Sequence, residues 1–223
     1  ARVSFTGTIT ESRPELEMLR KVRDSQNVAG VIVFVNSPGG TTTGGEAIYE
    51  ELRLLAAKKP VVAQFGTVAA SAGYIVGLGA DHIVSRGNTI TGSVGVLMQW
   101  PEVGELLGKV GVKMNEVKSG DLKASPSMFA PADEPSLAVV REMIDESFRW
   151  FASLVETRRG IKLADVPGLE KGRIFSGREA MTYKLVDQIG GEPEAHRWLE
   201  EKRGLEKDLK IIDWKPATDT SWG

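Results

Sequence analysis

A serine set among very small neighbours, Val68-Ala69-Ala70-Ser71-Ala72-Gly73-Tyr74, follows the apolar run Val61-Val62-Ala63-Gln64-Phe65. A serine Oγ that attacks a carbonyl must stand at the lip of a cleft, with room for a substrate backbone to lie across it. The next residue must offer its backbone N–H to the developing oxyanion, which is easier where no bulky side chain intervenes. The same composition also suits a close-packed strand-to-helix turn with no chemistry at all. Ser71 is therefore a candidate nucleophile whose case depends on the groups that accompany it.

One such group is the glycine-rich turn Pro38-Gly39-Gly40-Thr41-Thr42-Thr43-Gly44-Gly45. It has neither GxGxxG spacing nor a Gly-Lys-Ser/Thr, so it is a weak phosphate cradle. Adjacent glycines can instead aim unobstructed N–H groups at an oxyanion, or simply permit a tight turn with φ > 0. Ser71 also needs a base. Of the two histidines, His82 opens an apparent strand and His196 sits in a charged helix beside Arg197, both settings that suit structural or solvated residues. A lysine can serve where burial leaves its amine neutral. Lys118 and Lys123 flank Ser119-Gly120 in a loop after the apparent strand Val112 to Val117. In Thr91-Gly92-Ser93-Val94-Gly95-Val96, Ser93 could orient such an amine, or the segment could be only a bulged strand.

The elements that must position these groups alternate. Ser12 with Pro14 and Glu15 predicts a capped helix through Leu16, Leu19 and Val22. Ala29 to Val35 reads as a strand covered on both faces of a parallel sheet. A helix with Ile48, Leu52 and Leu55 on one face follows the glycine turn, and a short Gly/Ala-rich helix follows Ser71. His82-Ile83-Val84 reads as another strand, and 134–159 as a long helix with Leu137, Val140, Ile144, Phe148, Phe151 and Val155 in helical spacing. Acids open that helix and Arg158-Arg159 close it, as the helix dipole favours.

A chain of 223 residues, 41% of them apolar, can bury a sizeable core. Its net charge of −2 gives no reason to expect nucleic-acid binding. With no cysteine, disulfides, thiolate catalysis and cysteine-ligated metals are excluded; neither a metal nor a cofactor is expected. No apolar run approaches the roughly 18 residues of a spanning helix. The first residues read as a strand, Val3-Ser4-Phe5, without a signal-peptide pattern, so a soluble protein or a catalytic domain separated from its anchor is expected.

Taken in order, these motifs resemble the signal peptide peptidase A family of serine proteases, within the Clp protease/crotonase superfamily. The matching stretches are Asn36-Ser37-Pro38-Gly39-Gly40, Ala69 to Tyr74, Ala80-Asp81-His82-Ile83, Thr91 to Val96, Lys118-Ser119-Gly120-Asp121-Leu122-Lys123, Gly172 to Ala180 and Leu185 to Gly191. The resemblance implies an α/β fold of Clp protease/crotonase type with repeated ββα units, spanning residues 1–204, with 205–223 a tail of uncertain role. It implies Ser71 as nucleophile and Lys123 as general base, Gly40 and Ala72 as oxyanion donors, and Ser93 and Gly39 in support. It further implies hydrophobic peptide substrates such as signal-peptide remnants and a homo-oligomer whose neighbouring protomers share a site. The expected location is membrane-associated on the extracytoplasmic face, through an anchor absent from this chain, with a soluble cytoplasmic form as the other possibility. Ala72 replaces a frequent glycine, and Leu122 a frequent aromatic. A crotonase-like acyl-CoA enzyme and a non-catalytic scaffold of the same fold are the alternatives.

Overall fold

The structure, a computed structural model, describes residues 1–217. It forms two compact units, Ala1–Gly95 together with the chain from Phe151 onward, and Val96–Trp150. The first begins with β1 (Arg2–Ile9), α1 (Arg13–Asp24), β2 (Val31–Gly40), α2 (Thr42–Ala56), β3 (Val61–Ala70), α3 (Ala72–Leu78), β4 (His82–Ser85) and β5 (Ile90–Gly92). The second holds α4 (Gly104–Lys109) and the opening turns of α5 (Glu134–Arg159). Back in the first unit follow β6 (Ile174–Ser176), α6 (Gly177–Thr182), β7 (Gln188–Ile189) and α7 (Glu192–Arg203).

Strands β1-β2-β3-β4-β7 pair in parallel in that order, β5 joins β3 in parallel, and β6 pairs antiparallel with β5. Continuous apolar sequence in β2 and β3 matches this architecture, because both faces of these strands are covered: Val31, Val33, Val35, Val61, Val62, Ala63 and Phe65 are all buried. The predicted face of α2, Ile48, Leu52 and Leu55, is buried with them. Ile32, Val62 and Val84 meet Ala195 and Leu199 of α7.

Strand β3 serves two neighbours. Val62–Phe65 pair with β4 and Val68–Ala70 pair with β5. Between them the β2–β3 register slips, so that three residues, Gly66-Thr67-Val68, lie opposite the single Asn36. The extra backbone groups are satisfied by side chains, as buried polar groups require. Asn36 Oδ1 accepts the N–H groups of Thr67 (3.0 Å) and Val68 (3.2 Å). The hydroxyls of Thr89 and Thr91 donate to the carbonyls of Gly66 (2.6 Å) and Ala69 (2.7 Å). This braced bulge leads directly into Ser71.

Helix α3 is buried along its whole length. The Tyr74 hydroxyl donates to the Leu185 carbonyl at 2.7 Å, and burial pushes its phenol pKa up. At the other end of α3, Arg158 donates to the carbonyls of Leu78 (3.0 Å) and Ala80 (2.8 Å), groups a helix terminus leaves unpaired. The helix that follows Ser71 is thus fixed at both ends.

Two expectations need correction. The Ser12 side chain makes no cap bond; Pro14 in the first turn, which has no N–H to offer, starts α1 instead. Residues 112–117 are not a strand: among the described residues no strand pairs with them, and Val117 is fully exposed. The C-terminal segment, as far as it is described, packs on the outer edge of β1. Arg2 N–H donates to the Ile212 carbonyl and Trp214 N–H to the Arg2 carbonyl, both at 2.8 Å, while the Arg2 guanidinium grips Asp213. Residues 218–223 of the expected tail lie outside the described residues.

Candidate active site

Ser71 occupies the junction between β3 and α3 with φ 53° and ψ −123°. A non-glycine residue at positive φ costs about 1–3 kcal/mol and persists only where its surroundings over-determine it. Those surroundings are evident. Ser71 N–H donates to the Gly92 carbonyl at 3.0 Å, and its own carbonyl accepts from Tyr74 (2.9 Å) and Ile75 (3.0 Å). Serine at this position would ordinarily cap the helix with its hydroxyl. Thr41 does so for α2, accepting from Gly44 at 3.1 Å, and Ser176 does so for α6, accepting from Glu179 at 3.2 Å. Ser71 does not. The strained conformation withholds its Oγ from the local backbone, and Oγ makes no hydrogen bond among the described residues. A sharp strand-to-helix turn of this kind is how a nucleophilic hydroxyl is presented in other hydrolase folds.

The end of β2 packs against this turn. Gly39 has φ 128°, and a Cβ built there would lie 2.8 Å from Ser71 Cβ and 3.2 Å from Ser71 Oγ. A Cβ at Gly73 would lie 2.8 Å from the Ser37 carbonyl oxygen, and one at Gly45 would lie 3.3 Å from Ala72 Cβ. The two glycine-rich segments singled out from sequence therefore touch, and glycine is what lets them approach. Gly40 takes no side chain either, since a Cβ would lie 1.9 Å from the Ile9 carbonyl oxygen. In this turn Gly39 N–H is taken by Ser37 Oγ (3.1 Å) and Thr41 N–H by the Ile9 carbonyl (2.8 Å). Ala72 is the first residue of α3, where backbone N–H groups have no partner within the helix.

Ser93 follows Gly92, the acceptor of the Ser71 N–H. It too has positive φ (52°), and its N–H donates to the Arg173 carbonyl at 3.0 Å. The histidines are committed elsewhere. His82 lies 3.2 Å from Gln188 Oε1 and stacks on Trp198 with ring centroids 4.9 Å apart, and His196 bonds the Leu209 carbonyl at 3.0 Å. Lys118 and Lys123 belong to the second unit. Lys118 pairs with Glu116 at 2.8 Å, whereas the amine of Lys123, exposed on its turn, makes no ion pair or hydrogen bond among the described residues. The structure thus brings together Ser71, Gly39, Ala72 and Ser93's segment, and carries Lys123 on the other unit. Sequence reading did not single out Ser37 or Asn36 individually. Their signal was the Asn-Ser-Pro-Gly-Gly string itself, since Asn and Ser before a turn bond backbone groups nearby.

A serine freed from capping beside glycine-lined backbone is the arrangement of a serine hydrolase. Comparison with known proteins agrees. Residues 53–206 match the family model for peptidase family S49, and residues 11–88 match that for Clp protease. The chain belongs to peptidase family S49, whose serine proteases are of the signal peptide peptidase A type. A Synechocystis sp. protein provisionally named a protease is 34% identical over 96% of this chain and 77% of its own length. Protease 4 of Haemophilus influenzae is 32% identical over 96% of this chain. A protein of Enterococcus faecium provisionally named signal peptide peptidase SppA is 34% identical over 93% of it. The chain spans only 36% of the Haemophilus protein and 61% of the Enterococcus one.

Proposed function

We propose that this chain hydrolyses peptide bonds in short hydrophobic peptides, such as signal-peptide remnants, with Ser71 as nucleophile and Lys123 as general base. The observation that carries the reading is the strained, uncapped Ser71, held with its hydroxyl free against Gly39. Ser71 Oγ attacks the scissile carbonyl carbon while its proton passes to the neutral amine of Lys123. The tetrahedral oxyanion is held by the N–H groups of Gly40 and Ala72. As the C–N bond breaks, the Lys123 ammonium returns the proton to the leaving amine; water then gives a proton to Lys123 as its oxygen adds to the acyl carbon, and as the Ser71 ester bond breaks Lys123 returns that proton to Ser71 Oγ, releasing the acid. Ser93 orients the lysine amine. The assignment of Lys123 rests on its place in the Lys-Ser-Gly segment, and Lys118 is the less suited lysine because its amine is already paired with Glu116.

A lysine exposed in the isolated chain has water to solvate its ammonium, whereas a base must be neutral. This supports a homo-oligomer in which a neighbouring copy dries the site or shares it. The relative named signal peptide peptidase supports work beside a membrane; no helix among the described residues is long and apolar enough to cross one. The test is hydrolysis of a hydrophobic peptide ester together with labelling by a serine-directed fluorophosphonate. Ser71→Ala should abolish both and Lys123→Ala should abolish hydrolysis, with the double variant little worse than either single one because the pair acts as a unit. Lys118→Ala and His82→Ala should keep most activity. Substantial turnover by Lys123→Ala would sink the lysine assignment, and coenzyme A binding without peptidase activity would replace the whole reading.

A further inference from the structure

Ser37 has no exposed surface, yet its hydroxyl is not a passive filler. Its Oγ accepts the Gly39 N–H at 3.1 Å and donates to the Gly39 carbonyl at 3.2 Å. One hydroxyl therefore grips both polar groups of a residue two positions ahead, across Pro38. The residue it grips is the one whose Cα faces Ser71, and the Ser37 carbonyl abuts Gly73 in the first turn after the nucleophile. Ser37 is thus wedged between the two backbone segments that meet at the site.

The peptide bond explains why this matters. Its plane is rigid and trans, so the Gly39 carbonyl and the Gly40 N–H point in opposite directions from one plane. Fixing the carbonyl fixes the amide. Glycine at φ 128° has no Cβ to resist rotation of that plane, and glycine is the residue least restrained by its own sterics. An oxyanion donor is useful only if it is already aimed when charge develops. The restraint has to come from neighbours: β1 pairs alongside at Thr8 with Gly39 and Ile9 with Gly40, and on the polar groups of Gly39 the side-chain contact is Ser37 Oγ.

We propose that Ser37 is a positioning residue that holds the Gly39–Gly40 peptide plane so that the Gly40 N–H faces the oxyanion. Ser37 touches no reacting atom. The inference rests on the reading of Ser71 as nucleophile with Gly40 as an oxyanion donor, and the experiment separates the two. With the full chain, kcat and KM for a hydrophobic peptide ester are measured for Ser37→Ala and Ser37→Cys. The same variants are assayed for inhibition by a peptide boronate, whose adduct with Ser71 places an anionic oxygen among the donors. Binding of an uncleaved hydrophobic peptide is measured in the Ser71→Ala background, with and without Ser37→Ala.

Outright loss of an oxyanion donor typically costs 100- to 1000-fold, so an unclamped donor should cost roughly 10- to 100-fold in kcat. KM and uncleaved-peptide affinity should change less than about threefold, and boronate affinity should fall in step with kcat. Ser37→Cys keeps the shape with a weaker hydrogen-bonding group and should fall between wild type and Ser37→Ala. Should Ser37→Ala not fold, Ser37→Cys carries the test: kcat unchanged with boronate affinity unchanged overturns the proposal. A loss in Ser37→Ala that appears equally in uncleaved-peptide binding overturns it too. If Ser71→Ala itself retains turnover, the reading of the site has failed rather than the role of Ser37.

Discussion

Two glycines with positive φ offer a controlled perturbation of the site, because one has a neighbour and the other does not. Gly7, at the β1 bulge, has φ 71° and nothing within 4 Å of an added Cβ. Gly39 has φ 128°, and its added Cβ would stand 2.8 Å from Ser71 Cβ. Gly7→Ala should therefore show backbone strain alone, about 1–2 kcal/mol, which lowers Tm by roughly 2–8 °C for a chain of this size. Gly39→Ala carries similar or larger strain, about 1–3 kcal/mol, plus a collision. Restoring an ordinary carbon–carbon separation of about 3.5–4.0 Å would move the turn and Ser71 apart by roughly 0.7–1.2 Å. A misplacement of about 1 Å costs on the order of 100-fold in rate. The assay is kcat/KM on a hydrophobic peptide ester beside thermal unfolding, for both variants. Gly7→Ala should unfold earlier yet keep its activity below its Tm, while Gly39→Ala should lose about two orders of magnitude in kcat/KM while still folded. Gly39→Ala within threefold of wild type would refute the contact as a determinant of Ser71 placement. So would Gly7→Ala losing activity as severely.

If neighbouring copies share a site, mixing inactive Ser71→Ala with inactive Lys123→Ala protein under subunit exchange should restore measurable hydrolysis, because some interfaces pair an intact serine with an intact lysine; exchanged mixtures that stay dead place the pair within one chain. Stability should fall on acidification. Asp213 is held below its ordinary pKa by its hydrogen bonds from Arg2, Glu194 by the Gly191 N–H, and Asp133 by the hydroxyl and N–H of Ser136. Groups depressed in the folded state stabilise it above the ordinary carboxylate range near about 4, and that contribution is lost as pH falls through their folded values. Glu15, raised by burial, acts in the opposite sense. Calorimetric Tm should drop between about pH 5 and 2, less steeply in Asp213→Asn; a Tm that rises on acidification would overturn the attribution.

The first half of the fold was legible because local pattern and global architecture agree there. Val31 to Val35 and, but for Gln64, Val61 to Phe65 are apolar without alternation, as strands of a sheet covered on both sides are. The long helix over 134–159 was legible for the same reason, its boundaries coinciding with those found. What failed was where tertiary context decides. Val112 to Val117 has strand-like composition, but a strand exists only by pairing, and among the described residues no strand lies beside it. Nothing in residues 211–214 marks them as an edge neighbour of β1; the bonds to Arg2 join residues more than two hundred positions apart.

The candidate site divides along the same line. Glycine and small-residue strings are backbone statements, and backbone statements survive in sequence: Gly39 at Ser71 and Gly73 at Ser37 are close approaches that a Cβ would block, and Gly45 at Ala72 is one that it would crowd. A base is a different kind of object. Serine and lysine become nucleophile and base through strain, solvation and a neighbour's position, and none of these is written in residue type. Ser71 shows the point within one chain. Thr41, Ser71 and Ser176 stand at equivalent positions before helices, and the hydroxyl left free belongs to the one with φ 53° and ψ −123°, where the two that cap have extended backbone. That backbone is held by Gly92 through its carbonyl and by the fixed burial of α3, so the free hydroxyl of Ser71 is a property of β5 and α3 as much as of the serine. By the same reasoning, the surroundings that would make Lys123 a base have to be sought in whatever covers its exposed turn, which is why exchange between copies, rather than substitution of the lysine alone, is the decisive measurement.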